Sequence, residues 1–327
     1  MNTDDPGDIL LIKTSSMGDV IHNLPVLSDL KARFPRARID WVVEEGFADI
    51  PRLHPGARQV LPVAVRRWRR HPFSASVWRE IWAARQRIQA TDYDVVLDTQ
   101  GLLKSALVAR AARCAATGQR VGYSARALRE PLAALAYDKR FFIAKSLHAV
   151  ARNRQLAAQA LGYALPDSLD YGLSALRGAT GMTGARGESV VLLTASSRAD
   201  KLWAEVNWIN LGRALARLGL TVLLPSGSAR ERERAERIAD KVSGAQATPP
   251  MSLADLAALL AHARFVVGVD TGLVHLAAAV QTPVLALYTA SQPTLTGVLG
   301  SGWHENLGAN GAPPDLQAVL KTLKPLL

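Results

Sequence analysis

The sequence contains one cysteine, Cys114, in 327 residues. That excludes an internal disulfide and any metal cluster built on several thiolates, and it leaves Cys114 a packing role. Long apolar runs are missing as well. Each is cut by Asp270 or by Pro and Gly before it reaches the roughly 18 to 20 residues that a membrane-spanning helix needs. The opening Met1–Gly7 is acidic and lacks the charge pattern of a signal peptide, so a cytoplasmic chain is expected. Neither GxxxxGK[ST] nor GxGxxG occurs, which disfavours simple nucleoside triphosphate hydrolysis and dinucleotide-dependent redox chemistry. RRM, KH, zinc-finger and helix-turn-helix patterns are absent too, so no nucleic-acid partner is expected.

What is present is enough apolar material for two cores. Apolar residues make up 49% of the chain and charged residues 20%, and 327 residues suit two domains better than one. The charge is uneven. Residues 1–187 hold 27 Lys+Arg against 17 Asp+Glu, whereas residues 188–327 hold 12 against 11. Within the first half, residues 52–154 hold 20 against 6, a local +14 that predicts a polyanionic partner there.

Strands and helical runs alternate along the chain. The expected order begins with strand Asp8–Lys13, the polar loop 14–18, an amphipathic helical segment Asp19–Phe34 closed by Pro35, and strand Arg38–Val43. Strand Tyr93–Leu97 then leads through Asp98–Gly101 into a helix over Leu102–Ala112. The alternation lapses in the glycine-rich stretch "LRGATGMTGARGE" and resumes at strand Ser189–Thr194. After it come helix Asn207–Leu218, strand Leu220–Leu224, helices Ala229–Val242 and Ser252–His262, and strand Phe265–Val269. This is the pattern of two doubly wound parallel sheets. The expected division is a Rossmann-like domain over 1–170, a linker over 171–187 and a second Rossmann-like domain over 188–327.

In open parallel sheets, ligands bind beyond the carboxyl ends of the strands. Three loops there carry usable chemistry. A helix starting at Thr271-Gly272 offers unpaired N–H groups and a partial positive charge to a phosphate, and Gly272 lets the backbone approach. Read alone, Asp270 is equally a helix cap and His275 a packed histidine. The loop Ala195–Lys201 adds two hydroxyls and a lysine that can reach an anion, so the pair of loops suits a diphosphate. At the first loop, Asp19 is a carboxylate at a helix start, either a cap or a base facing a ligand across a cleft.

Three further features are weighed in the same way. Arg66-Arg67-Trp68-Arg69-Arg70 is the densest basic run and fits an anionic ligand. Asp92-Tyr93-Asp94 mimics a metal-binding DxD, but it precedes a strand, so it is read as a surface turn and no metal is expected. Val77, Trp78, Ile81, Trp82 and Ile88 form a helical apolar stripe with Arg79, Arg85 and Arg87 outside it. Core packing is the favoured reading of the stripe and contact with a membrane surface the other.

Together these residues resemble the lipopolysaccharide heptosyltransferases, inverting GT-B glycosyltransferases that use ADP-heptose. The resemblance covers almost the whole chain. It rests on "ILLIKTSSMGDVIH" (Ile9–His22), "DWVVEEGF" (Asp40–Phe47), "RRWRR" (Arg66–Arg70), "QGLLKSA" (Gln100–Ala106), "REPLA" (Arg129–Ala133), "ASSRADKLW" (Ala195–Trp203), "MSL" (Met251–Leu253) and "VDTGLVHL" (Val269–Leu276). It implies that Asp19 is the general base and that Ser196, Ser197, Lys201, Thr271 and Gly272 hold the donor diphosphate. Met251, Asp270 and His275 would complete the nucleotide-sugar site. For the acceptor it implies Ser16, Arg66, Arg67, Arg69, Arg70, Lys104 and Arg129.

The sequence departs from the family at two points. Serines 196 and 197 stand where the family carries threonines, a change that keeps the hydroxyls. Ala229 falls near the position of a donor-site glutamate, and Glu231, two residues on, is the candidate in its place.

The implied reaction moves L-glycero-D-manno-heptose from ADP-heptose to the Kdo residue of Kdo2-lipid A, with inversion and without a cofactor or metal. The implied location is the cytoplasmic face of the inner membrane, peripherally. The "SSMGDVIH" and "RRWRR" stretches favour this reaction over a later heptosyl transfer on the same core. From another class, the rival is a non-catalytic polyanion-binding protein.

Overall fold

A computed structural model describes residues 5–178 and 188–327 of the chain. It divides into two compact units, Met1–Gly172 and Leu173–Leu327.

The first unit is built on one sheet. Its strands are β1 (Asp8–Ile12), β2 (Arg38–Glu44), β3 (Ala57–Val63), β4 (Asp92–Asp98), β5 (Arg113–Tyr123) and β6 (Lys139–Phe141), in the order β3-β2-β1-β4-β5-β6. All five pairings are parallel. β1 reads DILLI and is buried throughout, as a central strand covered on both faces must be. The helices of this unit are α1 (Met17–Ile21), α2 (Leu24–Arg33), α3 (Asp49–Arg52), α4 (Val65–Trp68), α5 (Ala75–Ile88), α6 (Leu103–Ala111) and α7 (Ala149–Leu161).

The second unit repeats the plan. Its strands β7 (Ser189–Leu193), β8 (Thr221–Leu224), β9 (Gln246–Ala247), β10 (Phe265–Val269), β11 (Val284–Tyr288) and β12 (His304–Gly308) lie in the order β12-β11-β10-β7-β8-β9, again all parallel. Read from the other edge, this is the order of the first sheet. Its helices are α8 (Glu205–Arg217), α9 (Ala229–Ala239), α10 (Leu253–His262), α11 (Gly272–Ala279), α12 (Pro293–Thr296) and α13 (Leu316–Leu323). Trp203 and Trp208 meet edge to face at 5.0 Å in its core.

In both sheets the chain leaves a central strand toward one edge and later returns to that strand's other side. The reversal falls between β1 and β4 in the first sheet and between β7 and β10 in the second. The carboxyl ends of these paired strands form a crevice where a ligand can reach the backbone.

Several expectations need correction. The segment from Asp19 to Phe34 is two helices, because Pro25 has no N–H for the Ile21 carbonyl; it is tolerated in the first turn of α2, so the helix stops and restarts. The Asp92–Asp94 triplet is no turn but the opening of β4, with Asp92 paired to Arg113 and Asp94 accepting the N–H groups of Gly7 and Asp8 at 2.7 and 2.9 Å. In the stripe on α5, Val77 and Ile88 are buried, but Trp78 is 60% and Trp82 57% exposed. Of the stretch read as a linker, Leu173 is buried and the 3-10 turn Ser174–Arg177 packs on α10, with Arg177 donating to the Gln281 carbonyl. Its residues 179–187 lie outside the described residues.

Candidate active site

The first crevice is organised around a buried amine. Lys13 follows β1 and donates to the Thr99 carbonyl (2.8 Å) and to Asn153 Oδ1 on α7 (3.3 Å), which joins β1, β4 and α7 at one point. Burial pulls its pKa below the usual lysine range, while the Asp19 and Asp98 carboxylates oppose that shift. Beside it, Gln100 Oε1 accepts the N–H groups of Thr14 and Ser15 at 3.0 and 3.1 Å, so the loop after β4 fixes the loop after β1. Burial pushes the Asp98 carboxyl up, and bonds from the Tyr137 hydroxyl and the Gln100 and Gly101 amides offset part of it.

Asp19 stands on this frame at the third position of α1. Its Oδ2 accepts the Ser16 N–H (2.7 Å) and the Ser16 hydroxyl (2.9 Å). Ser16 is therefore the cap and Asp19 its reciprocal partner, a capping box. Two donors and the helix start orient the carboxylate while it stays half-exposed. It lines a cavity of about 480 Å³ together with Lys13, Gln100, Arg129, Lys145 and Arg152. One carboxylate among four cationic side chains suits an anionic ligand with a proton to give up.

The proposed acceptor residues are distributed around this loop in different states. Lys104, in the first turn of α6, donates to Ser15 Oγ, and its pKa is lowered by burial. Arg66 lies over the Phe47 ring at 5.3 Å. Arg67 is already committed, to Glu45 at 3.0 Å and Glu80 at 2.8 Å. Arg69, Arg70 and Arg129 are exposed, and Arg69 sits near enough to Lys104 to help depress its pKa.

The second crevice brings together most of the proposed donor residues. Lys201 Nζ meets Asp270 Oδ2 at 2.6 Å, and Ser291 donates to the same oxygen. Ser196 Oγ donates to the Asp270 carbonyl at 3.1 Å, which ties the loop after β7 to the end of β10. Thr271, not Asp270, is the N-cap of α11, so the Asp270 carboxylate is spent on Lys201 and Ser291. Gly272 opens the helix, and His275 is buried one turn in. Ser196, Ser197 and Glu231 line a cavity of about 390 Å³ with Arg230, Arg234 and Arg237. Glu231 also ties down the start of α9: its N–H donates to Oγ of the N-cap Ser228 at 3.3 Å, and its Oε2 accepts the N–H of Gly227, one residue before the cap, at 2.8 Å. Met251 is half-buried just before the N-cap of α10.

The model of glycosyltransferase family 9 (heptosyltransferase) matches residues 81–324. The chain belongs to this family. Lipopolysaccharide heptosyltransferase 1 of Escherichia coli (strain K12) is 44% identical over 326 residues, which span 97% of this chain and 99% of the relative. The solved structure of E. coli heptosyltransferase WaaC with ADP matches with a TM-score of 0.92 and 41% identity over 98% of this chain and 100% of that one. The same enzyme with ADP-2-deoxy-2-fluoro heptose gives 0.89 and 40%, again over 98% and 100%. The two parallel six-stranded units are the GT-B fold that the resemblance implied.

For this family 9 glycosyltransferase, reading loops along the sequence missed Lys13, Gln100, Lys145, Arg152 and Ser291. Lys13 was taken for the last residue of a strand. A lysine closing an otherwise apolar strand was the available signal, since a buried amine needs partners. Nothing local distinguishes Arg152 on α7 or Ser291 after β11; only the sheet order brings them to the crevices.

Proposed function

We propose that the protein transfers L-glycero-D-manno-heptose from ADP-heptose to the Kdo residue of Kdo2-lipid A, in one displacement with inversion. The observation that carries this reading is the division of chemistry between the two crevices: an oriented, half-exposed carboxylate in the first and an anchored lysine beside a helix start in the second. The first unit binds the acceptor and the second the nucleotide sugar.

Asp19 removes the proton from the acceptor hydroxyl as its oxygen bonds to the anomeric carbon of the heptose. The bond from that carbon to the diphosphate oxygen breaks on the opposite side, and ADP leaves with the electron pair. Inversion requires only this one carboxylate, with no nucleophile for a covalent intermediate. Lys201 and the N–H groups of Thr271 and Gly272 offset the charge of the leaving diphosphate. Ser196 and Ser197 add hydroxyl donors, while Glu231, Met251 and His275 complete the nucleotide-sugar site. Ser16, Arg66, Arg67, Arg69, Arg70, Lys104 and Arg129 receive the acceptor's carboxylates and phosphates. The enzyme works peripherally at the cytoplasmic face of the inner membrane, where a lipid-anchored acceptor is found; no helix among the described residues is long and apolar enough to cross a membrane.

The test is product formation from ADP-heptose with Kdo2-lipid A, run beside a panel of other nucleotide sugars and beside an acceptor already carrying its first heptose. Heptosylation of the unsubstituted acceptor, from the ADP sugar alone, is expected. Preference for the heptosylated acceptor would assign the enzyme to a later step.

A further inference from the structure

The first unit exposes aromatic side chains that its fold does not use. Among the described residues four aromatics are exposed, and three of them fall within ten positions: Phe73 at 98%, Trp78 and Trp82. Trp78 and Trp82 are one helical turn apart, so they share one flank of α5, roughly 120° round the helix from the buried Val77, Ala84 and Ile88. The Trp78 indole N–H donates to the Pro72 carbonyl at 2.9 Å, which pins the ring beside the loop that carries Phe73. The Arg85 guanidinium stacks over Trp82 at 5.3 Å. Two indoles and a phenyl ring left largely in water forgo the stabilisation that burying large apolar side chains gives. A covering partner is what such a cluster calls for.

The topology extends the patch. The connections β3 to β4, β4 to β5 and β5 to β6 all step the same way across the sheet, and right-handed crossovers place them on one face. α5 and α6 lie side by side there, with Gln89 at the end of one donating to the Ala111 carbonyl at the end of the other (2.8 Å). The third connection contributes the 3-10 helix Pro131–Ala136, which packs on α6. Leu107, Leu132 and Leu135 on these two elements are each about two-thirds exposed or more (72%, 67% and 71%). The charge on this side is basic. Unlike Arg67, the exposed Arg69, Arg70 and Arg79 have no carboxylate partner among the described residues.

We infer that this face, with Phe73, Trp78 and Trp82 as anchors among Arg69, Arg70 and Arg79, docks on the surface of an anionic lipid bilayer. Tryptophan in particular favours the boundary between headgroups and acyl chains, and exposed arginines favour anionic headgroups. A second protein surface would be met by aromatics too, but unpaired arginines around them select a partner of negative charge. The Asp19 cavity opens at the carboxyl ends of the same strands, and Arg129, on its lining, stands two residues before the 3-10 helix that carries Leu132 and Leu135. Docking through this face holds the cavity at the plane of an acceptor anchored in the same bilayer. The inference rests on the peripheral membrane location proposed above.

Flotation with vesicles of phosphatidylcholine alone, and of phosphatidylcholine with phosphatidylglycerol, tests it. The unmodified protein is expected to bind the anionic vesicles, more weakly as salt rises. Phe73→Ser/Trp78→Ser/Trp82→Ser should weaken binding by about tenfold or more, and Arg79→Gln should weaken it further. Both variants should retain kcat and KM on a deacylated, water-soluble acceptor, a readout that also reports correct folding. If the unmodified protein ignores anionic vesicles, the membrane location itself fails, and this inference with it. If it binds but the triple variant binds equally well, the location stands and this face is wrong. A triple variant that keeps vesicle binding but changes from dimer to monomer in light scattering would reassign the face to a second copy of the chain.

Discussion

Lys201 and Asp270 form a 2.6 Å ion pair that joins the loop after β7 to the end of β10 across the reversal point of the second sheet. The Lys201 side chain is 20% exposed and that of Asp270 11%, so the pair is shielded enough to hold the ammonium in place. Ser291 shares the same carboxylate oxygen. Asp270 thus fixes where the lysine ammonium sits at the crevice.

Lys201→Ala should weaken ADP binding by on the order of 1 to 3 kcal/mol, the range of a charge-assisted contact. Titration calorimetry with ADP measures it. Unchanged affinity would take Lys201 out of the donor site.

Asp19→Asn keeps an oxygen for the Ser16 N–H but cannot accept a proton. It should lose about 10² to 10⁴ in kcat, the worth of a general base, while ADP binding and melting temperature hold. Asp19→Ala should be as inactive and also lose roughly 0.5 to 2 kcal/mol of stability with the capping box. A well-folded Asp19→Asn enzyme with normal turnover would leave Asp19 a capping residue only.

The basic run should divide by function. Arg69→Gln/Arg70→Gln is expected to raise the KM for Kdo2-lipid A, increasingly at low ionic strength, with the ADP-heptose KM little changed. Arg67→Gln should affect the acceptor KM less, because its guanidinium is already held by Glu45 and Glu80. Equal effects from both variants on both substrates would assign the run to folding.

His54 gives a pH dependence of stability. Its Nε2 donates to Ser28 Oγ and its Nδ1 accepts the Gly56 N–H, both at 2.9 Å, so the folded protein holds the neutral ring. Burial lowers its pKa to about 4 from 6.5. Above about pH 6.5 both folded and unfolded states carry the neutral ring and no stability is lost. As pH falls toward 4 the unfolded chain gains a proton the folded one resists, which removes roughly 3 kcal/mol. Melting curves between pH 7 and 4 should show this loss, and His54→Gln should flatten its share of it. An unchanged slope in that variant would place the titration elsewhere.

Activity should survive EDTA, because Lys201 and the α11 start offset the leaving-group charge in this scheme. Loss on chelation with recovery on adding Mg²⁺ would call for a metal at the diphosphate.

The two sheets were legible because their central strands are largely buried and centre on short apolar runs; β1, β4, β7 and β10 match the expected strands to within a residue at either end. The edges were not. β6 and β9 span three and two residues, and β5 carries Gly118 and alternates little, so none shows a clear period. At the crevices, loops leaving a strand directly into a helix announced Asp19, Lys201 and Gly272. Arg152 was silent because its meaning comes from α7 lying against the end of β1, where its neighbour Asn153 meets Lys13, 140 positions away. Trp78 and Trp82 were misread for a different reason. Periodicity reports that a helix has an apolar side, not that the protein covers it.

Neither sheet borrows a strand from the other: the six strands of the first unit are complete by Phe141, and those of the second begin at Ser189. Because every pairing is parallel, no strand can recruit its neighbour through a tight hairpin, and each ladder waits for a crossover to close. Such topologies fold slowly and through intermediates with open edges. During synthesis, however, the six strands of the Asp19 unit, complete by Phe141, emerge before those of the second sheet, so this unit has a head start. It can therefore begin to close its edges before the second sheet is complete as a competing template, which lowers the risk that two sheets of the same order exchange strands.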